Sequence, residues 1–215
     1  MLVAEFMTRG AISVTPDTTL AEAIRILVDR RIRRLPVVRG DTLVGILVVG
    51  DVIRACPGDL NPFSAVAAEN PIMKRAVGHF MTRSPLTIAS NAPLEAAAQI
   101  FVNKKIGALP VMSGESLVGI ITDSDAFRAL IALLGTGEGV RITFDVFQDE
   151  EDVFAFVLDL SRRHDMKVGA ILSREHGGHR QVLVRLMGRE DESLMEDIWK
   201  TGHRVTSVAR LSVLS

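Results

Sequence analysis

The chain carries one cysteine in 215 residues, so Cys56 has no partner for an internal disulfide and no second thiol for a metal cage. That usage fits a reducing compartment, and a cytoplasmic protein is expected. No apolar run approaches the roughly 20 residues needed to span a bilayer, and residues 1–5 lack the basic start and apolar stretch of a secretory signal. No membrane partner is expected. Basic and acidic side chains nearly cancel, 25 against 26, without a long run of either sign. A nucleic-acid binder carries a basic footprint that is missing here, so no nucleic-acid partner is expected. Catalytic signatures are absent too. There is no Gly-x-Ser-x-Gly elbow, Walker loop or His-Glu-x-x-His helix, and Cys56 lies in no recognisable nucleophile motif. The chain therefore reads as non-enzymatic.

What is present is a duplication. Shifting residues 6–54 by 74 positions superimposes Phe6-Met7-Thr8-Arg9 on Phe80-Met81-Thr82-Arg83, Leu35-Pro36-Val37 on Leu109-Pro110-Val111, and Leu43-Val44-Gly45-Ile46 on Leu117-Val118-Gly119-Ile120. Asp51 falls on Asp125, and 19 of the 49 aligned pairs are identical. A fixed internal period marks a repeated structural unit that packs against its own copy, because neither buries its apolar face alone. Function is therefore sought at the seam between the copies.

Within each copy the periodicity changes in a set order. Residues 12–14 alternate as a short strand. Thr19 can cap a helix in which Leu20, Ala23, Ile24, Leu27 and Val28 share one face, and 35–38 and 43–48 read as strands joined by a turn at 39–41. The second copy repeats this with a strand at 86–88, a helix over 93–103, strands at 109–112 and 117–121, and a helix from Asp123 or Ser124. Each unit is β-α-β-β-α. The connector 57–77 holds Pro57, Gly58, Pro62 and Pro71 around a short helical stretch, 63–68. After a glycine-rich linker at 134–139 the pattern changes. Strands at 140–147, 168–173, 181–187 and 204–211 alternate with helices at 149–164 and 191–201, the split βαβ plan of a ferredoxin-like domain. The expected class is α+β, with boundaries 1–78 for the first repeat and its connector, 79–134 for the second, and 140–215 for the last domain.

Gly119-Ile120-Ile121-Thr122-Asp123-Ser124-Asp125, Met7-Thr8, Pro16 with Leu20-Ala21-Glu22-Ala23, and Leu35-Pro36-Val37-Val38 together resemble the landmarks of CBS domains. These regulatory modules pair pseudo-symmetrically and bind adenine nucleotides between two copies. The C-terminal unit is similar to an ACT domain, and the order CBS, CBS, ACT resembles the acetoin-utilisation protein B family. Amino-acid-binding ACT domains usually place a glycine after the first strand; Gln148-Asp149-Glu150 stands there instead, which argues against amino-acid binding.

The signature has chemistry of its own. A carboxylate in the first turn of a helix can accept both hydroxyls of a ribose, while a hydroxyl three residues earlier sits where free N–H groups favour a phosphate. Thr122 and Asp125 have that spacing. The same pair also suits a plain helix cap, and the duplicated context favours the ligand. The first copy keeps Asp51 but has Val48 in place of the hydroxyl, so the two clefts are expected to be unequal. The resemblance implies one cleft combining Thr122 and Asp125 with the segments around Thr8, Ile12 and Arg34. It implies a second, weaker cleft combining Asp51 with those around Thr82 and Leu86. Arg30-Arg31-Ile32-Arg33-Arg34 is the one dense basic cluster; Arg34, then Arg33, is the choice for forking onto a phosphate, while Arg30 and Arg31 suit a solvated helix end. The aligned residues of copy two are Lys104, Lys105, Ile106, Gly107 and Ala108.

His176-Gly177-Gly178-His179 beside Glu175 could hold a metal but reads first as a hairpin tip, and no metal is expected. Asp149-Glu150-Glu151-Asp152 reads as an acidic helix start complementing the dipole. The resulting expectation is a regulatory protein without a cofactor, sensing AMP, ADP or ATP or a related adenosyl ligand between its repeats. It would form a homodimer and pass the change to a regulated protein. The alternative is a constitutive dimeric scaffold with vestigial clefts.

Overall fold

The computed structural model describes residues 1–56, 58, 60–64, 69–135, 137–147, 153–189, 192–200 and 202–211. The expected connector helix at 63–68 lies mostly outside the described residues. So do the 148–150 loop, the 149–152 acidic cluster and the outermost residues of the helices expected at 149–164 and 191–201. The chain divides into two compact units, Met1–Phe127 and Arg128–Ser215. Among the described residues, no helix is long and apolar enough to cross a membrane.

The first unit runs α1 (Val3–Phe6), β1 (Thr8–Arg9), α2 (Leu20–Asp29), β2 (Arg34–Arg39), β3 (Thr42–Val48) and α3 (Val49–Ala55). It continues as β4 (Thr82–Arg83), β5 (Ile88–Ala89), α4 (Leu94–Lys104), β6 (Ala108–Ser113), β7 (Ser116–Thr122) and α5 (Asp123–Leu134), whose end belongs to the second unit. Thr19 caps α2 as its sequence position predicts. Its hydroxyl accepts the Glu22 N–H at 3.3 Å, and the Glu22 carboxylate accepts the Thr19 N–H at 2.9 Å and hydroxyl at 2.8 Å. Those two bonds satisfy otherwise orphaned donors and hold the Glu22 carboxyl below its usual range. The inward face of α2, Leu20, Ala23, Ile24 and Leu27, packs on Leu35, Val37 and Leu47 of the β2–β3 hairpin. Each such fully buried aliphatic side chain contributes about 1.5–3 kcal/mol.

The sheets are not those a simple reading of the repeat provides. One sheet has the order β2-β3-β4 and the other β1-β7-β6-β5. β1 belongs to the first copy yet pairs with β7 of the second, Thr8 opposite Ile120; β4 belongs to the second copy yet pairs with β3 of the first, Thr82 opposite Ile46. The copies exchange their leading segments. Residues on either side follow: the N–H of Val3 donates to Ala92 and that of Leu94 to Met1, while Val77 donates to Thr18 and Leu20 to Arg75. Met73 and Val77 lie in the core of the first copy. The strand expected at 12–14 is reduced to one parallel bridge, Val14 to Val37. The strand-forming role passes to Thr8-Arg9 and Thr82-Arg83, two polar pairs without an apolar alternation to reveal them.

The exchange explains the signature glycine. A Cβ on Gly119 would sit 2.5 Å from the Thr8 carbonyl oxygen, and one on Gly45 2.4 Å from the Met81 sulfur and 3.0 Å from the Thr82 carbonyl oxygen. Only glycine lets the incoming strand lie this close.

The second unit consists of β8 (Gly139–Val146), α6 (Val153–Arg163), β9 (Lys167–His176), β10 (His179–Met187), α7 (Glu192–Lys200) and β11 (Arg204–Leu211). Its sheet is antiparallel throughout in the order β11-β8-β10-β9. Val140, Ile142 and Phe144 of β8 and Val182, Val184 and Leu186 of β10 share a core with Val153, Val157 and Leu160 of α6 and Leu194 and Ile198 of α7. Gly177 and Gly178 turn the β9–β10 hairpin with φ of +59° and +83°, the left-handed pair that a two-residue turn of this hand requires.

Gly119→Ala is expected to destabilise the protein by about 1–3 kcal/mol, because its methyl must displace backbone rather than a flexible side chain. Gly202→Ala, with nothing within 4 Å of its Cβ position, is the control and should shift stability by less than about 0.5 kcal/mol in chemical denaturation.

Candidate functional site

Among the described residues the buried charged side chains are two, Asp51 at 7% exposure and Asp125 at 2%. They are the aligned carboxylates of the two copies, each one turn into the helix that follows the hairpin. Thr122 donates its N–H to Asp125 Oδ2 at 2.7 Å and its hydroxyl to the same oxygen at 2.6 Å; the Asp125 N–H donates back to Thr122 Oγ1 at 3.3 Å. The helix-cap geometry is therefore formed. In the first copy the Val48 N–H donates to Asp51 Oδ2 at 3.0 Å, and the two hydroxyl-mediated bonds have no counterpart because Val48 has no hydroxyl. Arg54, one turn further along α3, donates to Asp51 Oδ1.

A cavity of about 630 Å³ opens beside Asp51, within the range of small-molecule sites. Its wall takes Ile46, Val48 and Asp51 from the first copy, Thr82, Ser84 and Leu86 from the exchanged lead of the second, and Lys105, Gly107 and Pro110 from the second hairpin and the helix end before it. The structure thus brings Asp51, Thr82 and Leu86 together as one cleft. Arg33 and Arg34 line this same cavity. Arg34 was expected with Thr122 and Asp125; β2 runs antiparallel to β3 with Arg34 opposite Val48, so its backbone lies on the Asp51 side. Its charge nonetheless reaches the other side. Burial pushes the Arg34 guanidinium below the usual arginine range, while Asp123 and Asp125 pull it upward and Arg33 lowers it further.

Arg34 also explains an asymmetry of the repeat. A Cβ on Gly107 would stand 2.3 Å from Arg34 Nη2 and 2.9 Å from Asp123 Oδ2. The long arginine of one copy occupies the space left by the missing side chain of the other. Of the remaining expected site residues, Thr8 pairs with Ile120, two residues before Thr122, so the exchange carries it to the Thr122 side. Ile12 is exposed at 39%. Sequence reasoning did not select Arg54, Ser84 or Lys105 for the site. Arg54 was legible as an i, i+3 partner of Asp51; Ser84 and Lys105 come from elements whose proximity only the exchange creates.

Other clusters resolve as structural. His179 Nε2 lies 3.2 Å from Asp145 Oδ1, and its ring stacks on Phe147 at 5.0 Å. No group of three metal-binding side chains occurs among the described residues. His164 spans Ser193 at 3.4 Å and Asp197 at 3.0 Å, residues one turn apart on α7, and so clasps the end of α6 to α7. Asp197 is shared with Arg163. Burial raises the Cys56 thiol above its ordinary range, which leaves it a core residue rather than a nucleophile.

A repeated hairpin-and-helix module, paired by strand exchange around buried aspartates, defines a tandem module of duplicated type. The CBS domain model matches residues 3–58 and 77–132, and the chain belongs to the CBS-domain family. CBSX2 of Arabidopsis thaliana, a chloroplastic CBS domain-containing protein, is 30% identical over 152 residues, 61% of this chain and 64% of its own length. The crystal structure of CBSX2 in complex with AMP matches with a TM-score of 0.51 over 60% of this chain and 96% of that one. A Vibrio cholerae protein assigned to acetoin utilization is 29% identical with a TM-score of 0.53, covering 62% of this chain and 93% of that one. A CBS domain pair in complex with 5′-methylthioadenosine and S-adenosyl-L-methionine is 26% identical, with a TM-score of 0.51 over 60% and 95%. Among curated relatives the match spans from 47% to 94% of their length, and only 23–24% where the relative is an enzyme.

The unequal caps make a reciprocal prediction. Thr122→Val should cost about 1 kcal/mol by removing two hydrogen bonds at the start of α5, and Val48→Thr should add about 0.5–1 kcal/mol at the start of α3. Urea denaturation of the two variants reads both signs; equal effects in the same direction would refute the cap assignment.

Proposed function

We propose that this is a non-enzymatic regulatory protein that senses an adenosyl ligand in the clefts between its CBS repeats. The observation that carries the reading is the cavity beside Asp51. It is built from both copies, has the size of a nucleotide site, and is walled by a buried carboxylate and by arginines. CBS pairs of similar sequence are in complex with AMP in one case and with S-adenosyl-L-methionine and 5′-methylthioadenosine in another, which supports an adenosine moiety as the shared feature. In this reading Asp51 and Asp125 accept the ribose hydroxyls of two separate clefts. Thr82 and Leu86 serve the Asp51 cleft; Thr122, Thr8 and Ile12 serve the Asp125 cleft; Arg34 stands between them.

Ligand acts by differential binding. Each cleft takes walls from both copies, so occupancy favours the relative orientation of the copies that makes the better contacts, and only that difference in affinity can drive a response. The C-terminal βαββαβ unit is read as ACT-like, a domain for dimerisation or partner contact. The protein is read as a cytoplasmic homodimer of residues 1–78, 79–134 and 140–215, acting on an unidentified regulated protein, with the acetoin-utilisation family as a functional model. One observation favours the rival, a constitutive scaffold: both aspartates serve as caps of their helices, a structural role sufficient to account for them.

Titration calorimetry with AMP, ADP, ATP and S-adenosylmethionine tests the two readings, because a ligand that binds the folded state alone also raises the melting temperature. The clefts differ at Val48 against Thr122, so one tight site per chain or two of clearly different affinity is expected. Asp125→Ala and Asp51→Ala should each weaken their own site by about 1.5–3 kcal/mol. Absence of binding by every adenosyl ligand would establish the scaffold. Light scattering should give the mass of a dimer at micromolar concentration, and a monomer would remove the dimer from the reading.

A further inference from the structure

We infer that the Asp51 cleft selects nucleotides by phosphate number, favouring nucleoside di- and triphosphates over AMP and excluding cationic adenosyl ligands such as S-adenosylmethionine. The inference rests on the reading of this cavity as an adenosyl-ligand site and adds which member of that class it takes.

Four cations line the cavity, Arg33, Arg34, Arg54 and Lys105, against one carboxylate, Asp51. Arg54 is paired with Asp51, which leaves Arg33, Arg34 and Lys105 as an excess of positive charge on one wall. Asp123 and Asp125 act on Arg34 and offset part of that charge, and Arg33 and Lys105 add theirs to the lining. A monophosphate carries fewer charges than this wall presents, and each added phosphate brings oxygens that arginine can bind in a fork. A sulfonium ligand meets the same wall with repulsion.

The backbone fixes how Lys105 is presented. Arg31, Ser84, Lys105 and Asp165 are the non-glycine residues with positive φ among the described residues, and two of the four, Ser84 and Lys105, line this cavity. Lys105 closes α4 with φ of +53°, at the position where helices usually place glycine. The aligned Arg31 of the first copy has the same left-handed conformation, φ +51°, so this is how the repeat ends its first long helix. In the second copy that helix end carries Lys105 into the lining of the Asp51 cavity.

The experiment compares the ATP-to-AMP affinity ratio, by calorimetry on the full chain at fixed ionic strength, in the parent protein and in Lys105→Gly and Arg33→Gln. Glycine suits the left-handed backbone at 105, so Lys105→Gly removes the charge without adding strain and folding is retained. The parent should bind ATP at least about tenfold more tightly than AMP, with an advantage that shrinks as salt is raised. Each variant should reduce that ratio several-fold, and in an Asp125→Ala background, which weakens the other cleft, S-adenosylmethionine should give no heat. A parent ratio near one with AMP bound, or a ratio that survives both substitutions, overturns the phosphate selection and leaves the adenosyl site standing. Loss of all nucleotide binding in the parent overturns both. Inorganic triphosphate competing as strongly as ATP would support the cationic wall and overturn the adenosine half of the reading.

Discussion

Two backbone crossings hold the first unit together: the Thr8 strand lying against Gly119 and the Thr82 strand lying against Gly45. Each completes the sheet of the copy to which it does not belong. Without it the β3 edge of one hairpin and the β7 edge of the other are left open, and an uncovered edge is a row of unpaired N–H and C=O groups. The exchange therefore satisfies hydrogen bonds, covers apolar surface with Met73 and Val77, and joins the two copies in one operation. Because it is reciprocal, it also places the lead of the second copy beside Asp51 and the lead of the first beside Thr122.

The clefts inherit this symmetry and then depart from it. The departures are correlated. Val48 replaces the capping hydroxyl and Arg54 attends the carboxylate beside it, while Gly107 and Ala108 stand where the first copy has Arg33 and Arg34. The small residues are what allow Arg34 to reach across the seam towards Asp123. A duplicated unit with interchangeable halves would present two equal sites. Here the charge has been gathered on one side, so a ligand entering the Asp51 cavity meets a different field from one entering beside Asp125.

In the proposed reading the buried aspartates serve two roles with one geometry. In each copy the carboxylate closes the first turn of a helix by accepting the N–H of the last strand residue, and Asp51 is thereby held, ordered, in the wall of a cavity. A carboxylate free to rotate would lose conformational entropy on meeting a ribose; one already held by its cap does not. The cap and the binding site are thus compatible uses of the same residue, and the structural role explains why these charges tolerate burial.

Much of this was legible from the chain itself. The 74-residue period, the hairpins around Gly40 and Gly114, the Thr19 cap and the inward faces of the helices follow from local patterns, because a cap, a left-handed turn and a helical face are properties of a few adjacent residues. The same local logic placed Asp51 and Asp125 at helix starts. Tertiary structure alone decided which lead pairs with which sheet, since Thr8-Arg9 and Thr82-Arg83 are too short and too polar to carry a strand pattern and their partners lie on the other copy. It decided that Arg34 lines the Asp51 cavity, that Gly107 makes room for it, and that Lys105 and Ser84 belong to the same wall. Those facts depend on contacts between residues roughly 35 to 110 positions apart, and no local propensity records a distance of that kind.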